Sequence, residues 1–256
     1  MISLSDMALE NVTRVKALLF DLDGTFVSND FIESKAYKSL EILHNSGIKT
    51  IAVTGRPAGW CDLIARWWPI NAVVGENGAF FYSKINGKVI RQTFHDMAFL
   101  SDYQKRLQVL FEKLLEKYPY LKLASDQSFR HWDIAVDIAE EATVSREVAI
   151  DIVKFCEAEG AKGAISNIHV NIWFGDYNKE NMSLNVLDSY GLTKGDSMYI
   201  GDSPNDSPMF GCFPLSVGVS SVLNYKDIME NLPTYITDSD GANGFIELVD
   251  LIFSTK

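Results

Sequence analysis

The sequence has 256 residues, 47% of them hydrophobic and 22% charged, with a net charge of −11. That length suits one large α/β domain or a core with a smaller second domain, and the composition is that of a folded protein. The acidic balance speaks against nucleic acid or an anionic membrane surface as the main partner, because either would be repelled.

Cys61, Cys156 and Cys212 are scattered without paired spacing, which reads as reduced thiols, not a disulfide framework or a zinc site. Residues 1–16 carry charge and no long apolar segment, and no stretch reaches bilayer length. The expectation is a soluble cytoplasmic enzyme or binding protein of unspecified oligomeric state.

Residues 16–20 (KALLF) form a short apolar run suited to a buried parallel strand. Asp21-Leu22-Asp23-Gly24-Thr25 follows at once. Carboxylates at i and i+2 lean to the same side, and the C-terminal end of a parallel sheet is where ligand crevices form. A helical pattern over residues 33–45 ends at Gly47, a suitable C-terminal cap. A second strand, 48–53, runs into Thr54-Gly55-Arg56-Pro57. There a hydroxyl, a glycine N–H and a helix whose first turn accepts Pro57 make a small anion site, although Thr is also an ordinary N-cap. A third strand covers residues 71–74. The strand–helix–strand rhythm predicts a doubly wound, mainly parallel Rossmann-like sheet.

The rhythm changes after Gly78. Residues 79–82 and 88–93 flank Asn86-Gly87, a strong hairpin signal. A helix over 100–118 stops at Pro119, and strands over 130–138 and 164–173 enclose a helix over 144–158. Residues 84–175 hold 12 basic and 13 acidic residues, whereas the remainder holds 11 and 21. An inserted α+β domain over 84–175, within a core of 1–83 and 176–256, accounts for both changes.

The first pattern resumes with a helix over 179–190. Lys179, which opens it, is an isolated cation, since residues 176–256 hold 12 acidic and 4 basic residues. A strand over 197–200 leads to Gly201-Asp202-Ser203-Pro204-Asn205-Asp206. Clustered aspartates repel one another unless they share a cation, and an all-oxygen set suits Mg²⁺. A strand over 215–219 and a helix over 243–253 complete the core.

The ordered set DxDGT, Thr-Gly, Lys and GDxxND resembles the haloacid dehalogenase superfamily of phosphohydrolases. The long insertion looks like the C2-type cap of its Cof-like, type IIB branch, which includes sucrose-phosphate, trehalose-phosphate and mannosyl-phosphoglycerate phosphatases. Gly75-Glu76-Asn77-Gly78-Ala79 is similar to that branch's Asn-Gly-Ala signature. The resemblance implies Asp21 as nucleophile, Asp23 as general acid/base, and Thr54 and Lys179 as phosphate holders. It implies Mg²⁺ on Asp21, the Asp23 carbonyl and Asp202, with Asp206 in support. Gly55, Arg56, Asn77 and Asn205 are further candidate substrate contacts. Glu180 departs from the family's usual Gly after the lysine.

The implied activity is hydrolysis of a small phosphorylated metabolite, a sugar phosphate being the implied class, through a phospho-aspartyl intermediate. A phosphomutase of the same fold and a non-catalytic phosphate-ligand binding protein are the alternatives. Asp23 favours phosphoryl transfer, because a dehalogenase has no leaving alkoxide to protonate. In the cap, Arg130 within Phe129-Arg130-His131-Trp132-Asp133 is expected to reach substrate, and Asn167, His169 and Asn171 are placed at alternating positions of one strand. His44, His95, His131 and His169 lack metal-ligand spacing. Trp60, Trp67, Trp68 and Phe80 are expected in the core or a domain interface. Hinges are expected near residues 82–86 and 174–178.

Overall fold

The computed structural model describes residues 1–29 and 31–254. In chain order the elements are β1 (Ile2–Ser3), α1 (Leu9–Thr13), β2 (Ala17–Phe20), α2 (Ser34–Asn45), β3 (Lys49–Val53), α3 (Ala58–Trp67), β4 (Ala72–Gly75), β5 (Phe80–Ile85), β6 (Lys88–Thr93) and α4 (Leu100–Lys117). They continue with β7 (Asp133–Asp137), α5 (Arg146–Ala158), β8 (Lys162–Ile165), β9 (His169–Trp173), α6 (Lys179–Ser189), β10 (Ser197–Gly201), α7 (Ser207–Cys212), β11 (Leu215–Gly218), β12 (Tyr235–Ile236) and α8 (Gly241–Ser254).

The large sheet runs β1-β12-β11-β10-β2-β3-β4-β5-β6. From β1 to β4 its pairs are parallel. Its central strands β2, β3 and β10 are mostly apolar and buried because both faces are covered. Leu18 and Phe20 of β2 pack with Leu40 of α2, Ile64 of α3 and Phe245 of α8. Ala17 and Leu19 point the other way, to Val186 of α6 and Met209 of α7. The doubly wound α/β architecture read from the sequence is the one observed. Among the described residues no helix is long and apolar enough to cross a membrane.

The Asn86-Gly87 hairpin forms as expected, with both residues at positive φ, 50° and 76°, and Ile85 opposite Lys88. Its membership differs from expectation. β5 pairs antiparallel with β4, so residues 84–93 extend the large sheet. The separate three-stranded sheet, β7-β9-β8, comes later. It packs against α4 and α5 around its own core, including Leu114, Val136, Ile152 and Val170.

Three further expectations shift. Residues 164–173 are not one strand; β8 and β9 form a hairpin whose turn holds Ser166 and Asn167, both turn-favouring residues. His169 and Asn171 share a face of β9, but Asn167 does not lie on that strand. Pro57 is the N-cap of α3, one residue before its first turn. Of the aromatics expected inside, Phe80 is buried and Trp68 packs on Phe26, whereas Trp67 is exposed and Trp60 is half-exposed.

Candidate active site

The chain leaves β2 towards β3 and β4 on one side, while β10, β11 and β12 lie on the other. β2 and β10 therefore flank the point where strand order reverses, and a crevice opens beyond their C-terminal ends. Asp21 leaves β2 and Asp202 leaves β10, each on the residue after its strand, and Thr54 leaves β3 alongside. Lys179 begins α6, whose N-cap Asn178 accepts a bond from the Asn181 N–H at 2.7 Å.

Four of the expected residues meet there. Lys179 Nζ donates to Asp21 Oδ1 and to Asp206 Oδ1, both at 2.7 Å. Tyr199 donates its hydroxyl to the same Asp206 oxygen at 2.5 Å, and the Asp202 and Ser203 N–H groups reach Asp206 Oδ2 at 3.0 and 3.2 Å. Asp206 is thus fully occupied as a brace, whereas among the described residues the Asp202 carboxylate accepts just a long 3.4 Å bond from Thr25 Oγ1. Burial, partly offset by Lys179, pushes the Asp21 carboxyl up to about 8. Burial and then the neighbouring Asp21 push Asp202 well above the usual carboxylate range. Lys179 shifts upward although burial opposes its charge, because Asp206 and Asp21 outweigh it.

Three buried carboxylates, Asp21, Asp202 and Asp206, present oxygens within 4.8 Å of one another. One ammonium cannot balance them, so the set fits a hard divalent cation held by Asp21 and Asp202.

Asp23 faces a different partner. Arg56 grips its carboxylate with Nη2 at 2.8 Å and Nε at 3.0 Å. Arg56 Nη1 also reaches Asp126 at 3.2 Å and Glu140 at 3.0 Å, both from the inserted segment. Burial opposes its charge, but Asp23 and Glu140 raise its pKa further. Thr54 Oγ1 accepts from the Arg56 N–H at 3.0 Å, fixing the loop.

Asn77 is buried at φ +54° with its N–H on the Thr54 carbonyl at 3.1 Å. Its carboxamide has no hydrogen-bond partner among the described residues and abuts Gly55, as does Asn171. Asn205 is buried beside Asp21 and accepts from Ser203 Oγ at 2.9 Å.

Arg130 is placed differently from expectation. Its side chain is 0% exposed and donates to Asp126 at 3.0 Å, Asp133 at 3.1 Å and the Gly55 carbonyl at 2.8 Å. It ties the inserted segment to the core and does not line the space above Asp21. Beside it, Glu76 has no local sequence signal, yet its buried carboxylate accepts the N–H groups of Ala58, His131 and Trp132. Gly78, next in that turn, has φ +109°, and a Cβ there would stand 2.0 Å from the Asn178 carbonyl oxygen at the head of α6. Gly78→Ala should therefore lower stability by about 2–3 kcal/mol, since backbone cannot yield as a side chain can. Thermal unfolding reads this, and an unchanged melting temperature would contradict the contact.

The space over Asp21 is about 10 Å³, roughly one water's worth. Asn167, Ile168, His169 and Asn171 close it from the inserted segment.

The family described as haloacid dehalogenase-like hydrolase matches residues 18–157 and 98–248. A curated relative, a phosphoglycolate phosphatase of Methanococcoides burtonii, is 23% identical over 247 residues, covering 94% of this chain and 97% of the relative. The fold is similar to Thermoplasma acidophilum protein 0175, with TM-score 0.74, 18% identity and coverage of 94% and 99%. It is also similar to the sucrose-phosphatase of Synechocystis, solved with sucrose and phosphate, with TM-score 0.67, 16% identity and coverage of 92% and 97%.

Proposed function

The chain belongs to the haloacid dehalogenase-like hydrolases, and from that premise we propose a phosphatase that frees a small metabolite from its phosphate ester through a phospho-aspartyl intermediate on Asp21. The observation that carries this reading is the 2.7 Å contact between Lys179 and Asp21, beside Asp202 and one residue removed from Asp23. Phosphate-monoester hydrolysis is among the slowest reactions in water, so dividing it into two transfers has large value.

In the first step an Asp21 oxygen bonds to phosphorus as the bond to the leaving oxygen breaks, and Asp23 supplies that oxygen's proton. In the second, Asp23 takes a proton from the water that attacks the phospho-aspartate, and inorganic phosphate departs. Lys179, already oriented by Asp206, stabilises the transferring group without reorganising. Asp23 cannot serve while Arg56 holds both its oxygens, so it must turn from Arg56 towards the leaving oxygen. A Mg²⁺ ion on Asp21 and Asp202 would supply positive charge to the phosphoryl oxygens. The inserted segment, residues 94–175, acts as the cap that excludes water and contacts the leaving group.

Chelation should reduce phosphate release at least about 100-fold and added Mg²⁺ should restore it, with the far-ultraviolet circular dichroism unchanged. Full activity in excess chelator would remove the metal from this reading.

A further inference from the structure

Beyond the nucleophile, Asp23 and Arg56 also border a much larger cavity of about 890 Å³ between core and cap. That is within the usual range for small-molecule sites. Because Asp23 must reach the leaving oxygen, a leaving group extends into space that Asp23 borders, and this cavity is the roomier of the two that it borders. Its walls are apolar: Phe31, Trp60 and Leu63 from the core face Phe129 from the cap. Trp60 and Phe129 are 43% and 53% exposed, an unusual condition for large apolar residues clustered at an internal cleft. The Arg56 guanidinium lies over the Trp60 ring at 4.5 Å, which fixes that ring's orientation beside Asp23.

The charges are as informative as the walls. Asp23, Glu140 and Glu141 border this cavity. Glu33, Asp202 and Asp240 border the adjoining polar cavity of about 460 Å³, which also reaches Asp23. Among the described residues the single cation lining either cavity is Arg56; when Asp23 turns to the leaving oxygen, Arg56 keeps Nη1 on Asp126 and Glu140 and is still outnumbered by the carboxylates around it. A leaving group bearing its own carboxylate or second phosphate would meet a surface whose carboxylates outnumber its one guanidinium.

We propose that the substrate is a phosphate monoester whose leaving group is uncharged and ends in an aromatic or similarly apolar ring, seated between Trp60 and Phe129. This rests on the phosphatase reading and narrows it. It separates this chain from the phosphoglycolate named for its relatives, whose leaving group is a carboxylate, and from bisphosphates.

Three esters with comparable primary-alkoxide leaving oxygens test the idea: 2-phenylethyl phosphate, phosphoglycolate and glucose 6-phosphate, with acetyl phosphate as reference. The phenylethyl ester should show the highest kcat/KM of the three, by about tenfold or more. Trp60→Ala and Phe129→Ala, both at exposed positions, should lower its kcat/KM about tenfold more than that for acetyl phosphate. Faster turnover of phosphoglycolate or glucose 6-phosphate, or equal losses on the phenylethyl and acetyl substrates, would overturn the proposal. An enzyme inert towards acetyl phosphate too would instead remove the phosphatase reading. In that event calorimetric binding of 3-phenylpropylphosphonate, weakened about tenfold by Trp60→Ala, still supports the ring site, and binding unaffected by that change rejects it.

Discussion

Asp21→Asn should lower turnover by at least about 10⁴-fold, in line with removal of a nucleophile that acts with its neighbours as a unit. The amide keeps the shape of the side chain and an oxygen for the Lys179 bond, so the geometry survives while the attacking charge is lost. Folding should not suffer. Burial already works against charge on Asp21, which shares its site with Asp202 and Asp206. Steady-state phosphate release gives the rate, and acid quenching of the wild type should trap a phosphorylated protein that the variant never forms. Residual activity above about 1% of wild type, well beyond a loss of that size, would show that another group attacks phosphorus.

Arg130→Met should destabilise the fold by about 3–5 kcal/mol, the usual cost of removing one partner from a buried ion-pair set. Asp126 and Asp133 are 4% and 2% exposed and would lose the guanidinium between them. In a chain of this length that corresponds to a drop in melting temperature of roughly 6–20 °C. The Gly55 carbonyl would also lose its 2.8 Å donor, loosening the loop that carries Thr54 and Arg56. Activity losses should be equal on every substrate, because Arg130 touches none of them. Melting within 2 °C of wild type, at the lower end of what a single kcal/mol produces, together with a loss confined to one substrate, would place Arg130 on the leaving group after all.

Where chemistry sits at the ends of buried strands, the sequence was explicit. β2, β3 and β10 are covered on both faces, so the apolar residues that dominate them stand out, and polar residues that follow each strand gather at the candidate site. Local turn chemistry was equally readable in Asn86-Gly87 and Gly47. What failed was the choice of partner over long separations. Asn-Gly specifies that a hairpin forms but not that β5 lies against β4. The two-residue strands β1 and β12 carry too little pattern to notice. Arg56 reaches Asp126 and Glu140 across 70 and 84 residues, and no local spacing announces such a contact. Arg130 falls under the same limit: an arginine just ahead of a strand looks the same in sequence whether it faces a ligand or two buried carboxylates.

The insertion leaves the core just after β6 and returns just before α6, at residues that nearly touch. His95 Nε2 stands 3.0 Å from Asp176 Oδ1, and Gly175, between β9 and Asp176, has φ +114°. A segment entered and left at one place can be lengthened, shortened or exchanged without shifting the register of any strand in the large sheet. Its own core around Leu114 and Val170 travels with it. On the proposed function the reacting groups lie in the core, whereas Phe129, Glu140 and Glu141 of the insertion supply one side of the leaving-group cavity. Changes on that side would alter what the cavity accepts while Asp21, Lys179 and Asp202 keep their places.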